Sequence, residues 1–251
     1  MTKLFDGKTV IITGASRGIG LGIAEGFAGE DAQLHLVADD EVIFETAKRL
    51  GATPHHVDIT DRRAVADMIE GVPRVDVLIN NAGFERMTPL VTDSEHVEDT
   101  FRRVVEVNVM GTSNVTRRSI SRMRPGGVII NTASIWGRVA EAQFDAYVAS
   151  KHAIIGLTKT WAKELGPLGI RVNAVCPGWV RTEASMRSLG LMAAARETDE
   201  DSLLKDIVAG QALSGLMEPS DMSETYLFLA SDRAKNITGQ SLAVDRGEVP
   251  W

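Results

Sequence analysis

Two rhythms alternate along the chain. Short β-branched runs, apolar at consecutive positions, are separated by longer amphipathic stretches. Thr9-Val10-Ile11-Ile12-Thr13 predicts a first strand, bounded by Asp6-Gly7 and Gly14. Residues 18–29 predict a helix, 34–37 a second strand, and 41–50 a helix that stops at Gly51. Further strands are predicted at 75–79, 128–130, 170–175 and 242–244. Runs that are apolar at every position imply burial on both faces, as in a parallel sheet covered by helices. Strand–helix alternation over the whole length predicts an α/β doubly wound parallel sheet. No linker, low-complexity stretch or repeat interrupts it, so residues 1–251 read as a single domain. One segment, 183–218, breaks the rhythm and is too long for a plain connection. Insertions of that length serve as lids or binding loops, and it is read as a substrate lid.

Composition narrows the function classes. With 44% hydrophobic and 24% charged residues, the 251-residue chain suits a folded domain rather than a disordered one. A net charge of −7 lacks the basic footprint of a nucleic-acid binder. No apolar run approaches the ~18 residues a spanning helix needs. Asp6 falls where a signal peptide would be apolar, so neither membrane nor export is expected. The Asn-x-Thr triplets at Asn114 and Asn236 are therefore read as chance matches. A lone cysteine, Cys176, excludes an intrachain disulfide and suits a reducing, cytoplasmic setting. Read as a buried small residue, it has no histidine beside it in sequence. The five histidines (35, 55, 56, 96 and 152) show no metal-ligand spacing, and no metal is expected. Arg117, Arg118, Arg122 and Arg124 read as the cationic end of a helix.

Three motifs carry chemistry. The first, Thr13-Gly14-Ala15-Ser16-Arg17-Gly18-Ile19-Gly20, follows a strand and opens a helix. Such glycines let the backbone approach a pyrophosphate, and the helix start supplies free N–H groups and positive potential. By itself the pattern is also that of a glycine-rich turn without ligand. The second, Asn80-Asn81-Ala82-Gly83, ends the 75–79 strand, where short amides either pin a turn or face a ligand. The third is Tyr147-Val148-Ala149-Ser150-Lys151, whose Tyr and Lys share a helix face. An ammonium beside a phenol favours the phenolate and lowers a pKa that is otherwise ~10. Ser134 lies thirteen residues before Tyr147, and Asn108 lies in a preceding helix.

Taken in order, with Pro177-Gly178 and Thr182, these motifs resemble the short-chain dehydrogenase/reductase family over essentially the whole chain. The resemblance implies a single Rossmann-type domain with about seven parallel strands. It places Gly14, Ser16, Gly18, Ile19 and Gly20 along the pyrophosphate and adjacent ribose, and Asp58 near the adenine. Asn81, Ala82 and Gly83 would flank the adenosine, with Pro177, Gly178, Val180 and Thr182 on the nicotinamide side. Asn108, Ser134, Tyr147 and Lys151 are implied as a catalytic tetrad. In that scheme Tyr147 exchanges the substrate hydroxyl proton as hydride moves, and Ser134 holds the substrate oxygen. Lys151 lowers the tyrosine pKa and, with Tyr147, contacts the nicotinamide ribose. Asn108 supports a water linking Lys151 to solvent.

The acids Asp39 and Asp40 follow Gly20 by about twenty residues, where a ribose-binding acid points to NAD. Family members that use NAD often carry the acid one place earlier, at Ala38, and Asp39-Asp40 equally suits a helix N-terminus. Arg17 is the one feature favouring the 2′-phosphate of NADP, so NAD is expected and NADP disfavoured. Pocket positions hold Phe84-Glu85-Arg86, Trp136-Gly137-Arg138, Gln143-Phe144 and Trp179-Val180-Arg181. These predict an aromatic pocket from Trp136, Phe144 and Trp179. Arg86 and Arg138 are read either as grips for an anionic group or as surface residues paired with Glu85 or Glu141.

The function expected is an NAD(P)-linked alcohol dehydrogenase or carbonyl reductase acting on a small alcohol or ketone, with sugars, polyols and hydroxy acids as candidates. The alternatives are a β-ketoacyl carrier-protein reductase and a dinucleotide-binding sensor without turnover. The family resemblance implies a homodimer or homotetramer. Asp245-Arg246-Gly247 departs from the family's frequent Asp-Gly-Gly, which leaves that turn open. Trp161 is expected to pack on the helix carrying Tyr147, and Trp251 to reach over a site, a neighbour's included.

Overall fold

The computed structural model describes residues 3–92 and 94–250; Trp251 lies outside them. Seven strands form one parallel sheet: β1 (Thr9–Thr13), β2 (Gln33–Ala38), β3 (Thr53–His56), β4 (Val77–Asn80), β5 (Val128–Thr132), β6 (Arg171–Pro177) and β7 (Ser241–Val244). Their order is β3-β2-β1-β4-β5-β6-β7. The order reverses between β1 and β4, which pair through Val10↔Val77, Ile11↔Leu78 and Ile12↔Ile79. That is the switch point where the loops after β1 and β4 diverge and leave a crevice.

Consecutive apolar residues in the strands serve opposite faces. Val10 and Ile12 pack with Ile23 and Phe27 of α1 (Gly18–Gly29), Ile43 of α2 (Val42–Leu50) and Tyr226 of α9 (Ser223–Ala230). Ile11 and Leu78 pack with Val65 of α3 (Arg62–Glu70), Val115 of α5 (Thr112–Ser119) and Trp161 of α6 (Asp145–Leu165). Ile11, Ile12, Phe27 and Leu78 are fully buried, each contributing ~1.5–3 kcal/mol of burial. Trp161 is therefore on the same helix as Tyr147, not on a neighbour. That helix is long enough to carry the tyrosine at one end and a core anchor at the other.

The strand β3 escapes the sequence pattern. Its residues, Thr53-Pro54-His55-His56, are only partly buried at the sheet edge, and Pro54 offers no N–H. The helix containing Asn108 is not uniform either. Between α4 (Glu95–Val105) and α5 the backbone widens into a π-helical stretch, Glu106–Gly111. The 183–218 segment folds as two helices, α7 (Glu183–Ala195) and α8 (Glu200–Ala209), followed by irregular chain. The Asp245–Gly247 turn forms with Arg246 left-handed at φ 56°. Its carbonyl accepts Leu213 N–H at 2.9 Å and its guanidinium donates to Ser214 O at 2.9 Å, so the turn anchors the end of the 183–218 segment. No helix among the described residues is long and apolar enough to cross a membrane.

Candidate active site

Thr13 closes the switch point. Its hydroxyl accepts the N–H groups of Asn81 and Ala82, both at 3.0 Å. The Asn81 amide donates to the carbonyls of Thr13 and Gly14, at 3.2 and 3.1 Å, and its oxygen accepts Thr132 Oγ1 at 3.3 Å. Its neighbour Asn80 instead turns into the sheet, donating to Thr116 Oγ1 and Asn131 Oδ1 at 2.9 Å each. Sequence alone does not separate these two roles.

The glycine loop lies against this seam. A methyl group on Gly20 would sit 2.0 Å from Gly14 O, and one on Gly14 would sit 2.7 Å from Ala82 Cα. Only hydrogen fits at either position. No side chain caps the N-terminus of α1, so its first N–H groups face the groove. That open helix start suits the diphosphate of a dinucleotide.

The groove has a volume of about 430 Å³, within the ~300–1,000 Å³ range of ligand sites. At one end stand Ser16, Arg17, Asp39, Asp40 and Asp58. Ser16 Oγ donates to Asp40 at 2.8 Å, and Arg17 pairs with Asp40 at 2.9 Å and with Glu183 at 3.5 Å. Asp40 also accepts Val42 N–H at 3.0 Å, so it serves the helix start as well as the loop. Asp39 is exposed along the groove. Burial opposes ionisation of Asp58, but bonds from Arg103 at 2.7 Å and from Thr60 hold its carboxyl below the usual range.

At the other end α6 presents Tyr147 and Lys151 one turn apart. Lys151 Nζ donates to Thr132 O at 2.8 Å and lies 5.3 Å from the centre of the Tyr147 ring. Ser134, just past β5, hydrogen-bonds the Tyr147 hydroxyl. Ser134 Oγ also accepts Trp136 N–H at 3.1 Å, which holds it at the start of a 3₁₀ turn, Ile135–Gly137. Asn108 Oδ1 accepts Phe84 N–H at 2.7 Å, and its amide donates to Phe84 O and Ser150 Oγ at 3.0 and 2.9 Å. The π-helical turn aims Asn108 across to α6. Burial pushes the Tyr147 phenol upward and the Glu85 charge adds to it, while the Ser134 bond opposes. Burial also brings Lys151 down to about 8. Burial and the Glu85 charge thus act against the lowering of Tyr147 expected from Lys151.

Pro177, Gly178, Val180 and Thr182 line the groove beyond β6, and Thr182 caps α7, accepting Ser185 N–H at 3.1 Å. A recess of about 70 Å³ opens beside Tyr147, between Glu85, Ser134, Trp136, Trp179 and Ser185. Trp136 meets Tyr147 and Trp179 edge-on, with ring centres 6.0 and 6.2 Å apart.

Two expected pocket residues stand elsewhere. Phe144 is fully buried behind Trp136, centre to centre 5.0 Å, because it opens α6 beneath the pocket wall. Arg138 leaves the 3₁₀ turn toward the sheet edge, where its guanidinium bonds Ser241 O, and it does not line the groove. Glu141 pairs with Arg196 instead. Arg86 does line the groove, stacked on Phe84 at 4.3 Å, and donates to the backbone oxygen of Glu85 at 2.7 Å. Glu85, one of the expected pocket positions, lines the site, and Arg187 of α7 enters it unannounced by any motif. The only signal for Glu85 is its place after Asn-Asn-Ala-Gly, and Arg187 lies in a segment without a recognisable pattern.

A family model described as enoyl-(acyl carrier protein) reductase matches residues 14–248. Oxidoreductase UcpA of Salmonella typhimurium is 37% identical, covering 96% of this chain and 94% of that one. The ligand-free aldohexose dehydrogenase of Thermoplasma acidophilum superposes with a TM-score of 0.85 at 31% identity, covering 98% of this chain and 94% of the other. A variant of actinorhodin polyketide ketoreductase with NADPH gives a TM-score of 0.90 at 29% identity, covering 97% of this chain and 98% of the other.

Proposed function

The chain belongs to the short-chain dehydrogenase/reductase family of nicotinamide-dinucleotide oxidoreductases, and from this we propose that it moves a hydride between NAD and an alcohol or carbonyl carbon. The observation carrying this reading is the convergence of Ser134, Tyr147 and Lys151 where the groove meets the recess. Gly14, Ser16, Gly18, Ile19 and Gly20 would hold the diphosphate and ribose, with Asp39 and Asp58 toward the adenosine. Asn81, Ala82 and Gly83 would flank it, and Pro177, Gly178, Val180 and Thr182 would stand at the nicotinamide. A nicotinamide ring held there would accept or supply the hydride.

The residues of the chain manage the proton and the oxygen. Tyr147 Oη takes the proton from a substrate hydroxyl, or returns it to a carbonyl oxygen in reduction. Ser134 Oγ donates to the same oxygen and steadies its developing charge. The Lys151 ammonium favours the phenolate at the moment of transfer. Asn108 and Ser150 keep α6 in register with the loop carrying Phe84. Trp136 and Trp179 form the substrate wall, and the 183–218 segment acts as the lid.

Arg17 is already engaged by Asp40, and Asp39 and Asp40 would repel a 2′-phosphate; both features support NAD over NADP. A second reading, reduction of an acyl thioester on a carrier protein, is favoured by the description of the matching family model. Exposed Phe101 and Met110, on the helical stretch that carries Asn108, support assembly into two or four copies. The lone buried cysteine supports a cytoplasmic setting. Initial rates on sugars, polyols, hydroxy acids, aryl alcohols and a β-ketoacyl thioester, with NAD(H) and NADP(H) at equal concentration, test the proposal. Absence of turnover on every substrate would leave only dinucleotide binding and sink it.

A further inference from the structure

Charge is distributed unevenly along the groove. The adenosine end carries Asp39, Asp40 and Asp58, with Arg17 paired to Asp40 and Arg103 to Asp58, whereas at the catalytic end Lys151, Arg86 and Arg187 face one carboxylate, Glu85. The two guanidiniums converge: Arg86 donates to Glu85 O at 2.7 Å and Arg187 to the same oxygen at 3.4 Å. Neither forms an ion pair with a carboxylate among the described residues. Burial and the nearby Arg187 charge make Arg86 a weaker base than usual, with the Glu85 charge opposing them. Two cations sharing one neutral acceptor at the edge of a cavity have spare donors and mutual repulsion, and an anion between them relieves both.

We propose that Arg86 and Arg187 clamp a carboxylate borne by the substrate, so that the enzyme acts on hydroxy or oxo acids. This inference rests on the dehydrogenase reading and names the substrate class of that site. The clamp bridges two elements, the loop after β4 and helix α7, so an anion held there also ties the 183–218 segment to the catalytic floor. A carboxylate suits the place better than a phosphate dianion, because Glu85 lies beside both arginines and would repel the second charge. Trp136 and Trp179 then cover the carbon chain between the clamp and Tyr147.

The test is binding, read without turnover. The intrinsic fluorescence of the tryptophans beside the recess is titrated, in NADH-saturated protein where a hydroxy acid finds no hydride acceptor, with hydroxycarboxylates of three to six carbons. Each is paired with its uncharged alcohol; D-gluconate and D-glucitol are one such pair. At least one acid is expected to bind ~10-fold or more tightly than its alcohol, the worth of one charge-assisted bond. Arg86→Gln and Arg187→Gln should each erase that preference without weakening NAD binding, and Arg187→Lys should keep part of it. Equal binding of every acid and its alcohol overturns the clamp. So does a loss of NAD affinity in the arginine variants as large as the loss for the acid, which would assign the arginines to the dinucleotide. Arginine-dependent binding without turnover would keep the clamp and remove the hydride-transfer reading instead.

Discussion

Replacing Tyr147 by phenylalanine separates chemistry from architecture. The ring would keep its edge-on contact with Trp136, 6.0 Å between centres, and its place near Lys151. The hydroxyl alone is lost, and with it the hydrogen bond with Ser134. One such bond is worth ~1 kcal/mol of stability, so the melting temperature should move by only ~2–4 °C in a chain of this size. The catalytic loss should be far larger. The phenol is the group proposed to exchange a proton with the substrate oxygen, and general acid–base participation is usually worth ~10²–10⁴ in rate. That is ~3–5 kcal/mol of barrier. Initial rates of NADH formation on the best substrate of the panel, with a thermal melt of the same preparation, measure both quantities. A variant that melts normally and keeps activity within about tenfold of wild type would refute the assignment. So would a collapse of the fold, since the structure gives this hydroxyl one bond and no packing role.

Other consequences follow from the same geometry. Glu85→Gln removes a charge that raises Tyr147, so the ionisation limb in the pH profile of alcohol oxidation should move to lower pH; an unchanged or upward-shifted limb would contradict that coupling. Lys151 is held near 8 against 10.5 ordinarily. The unfolded chain therefore binds the extra proton between those values, and this group's contribution to stability should rise with pH across that window, by up to ~3 kcal/mol. Urea melts of wild type and Lys151→Met across the same window should show the rise only in wild type. Asp40→Ala frees Arg17 from its 2.9 Å pair, and the ratio of kcat/KM for NADP to that for NAD should increase; a constant ratio would place cofactor choice elsewhere. Gly20→Ala forces a methyl to within 2.0 Å of Gly14 O, and NADH binding followed by fluorescence should be lost or weakened at least tenfold.

Most of the sheet and the catalytic elements are legible in the order of residues. Short apolar-rich runs mark six of the seven strands, several of them unbroken because a strand buried on both faces has no polar side to disguise it. The run of β1, the glycine loop and α1 is legible to the residue, since the close approach of backbone at Gly14 and Gly20 admits only hydrogen there. The four-residue spacing of Tyr147 and Lys151 on one helix face needs no tertiary knowledge. Other features depend on contacts between segments distant in sequence. Edge strand β3 exists because β2 pairs with it, not because Thr53-Pro54-His55-His56 favours a strand. Asn80 and Asn81, adjacent in sequence, part into a sheet-facing and a loop-facing residue because successive side chains point to opposite sides. Arg138 and Arg86 look alike as pocket cations, yet one bonds the β7 backbone and the other lines the groove. Arg187, brought from α7 to the same carbonyl as Arg86, has no local signature at all. Periodicity encodes which face of an element is buried. Which charged side chains meet at a site is set by how the loops after β4, β5 and β6 converge, and that is a property of the folded chain.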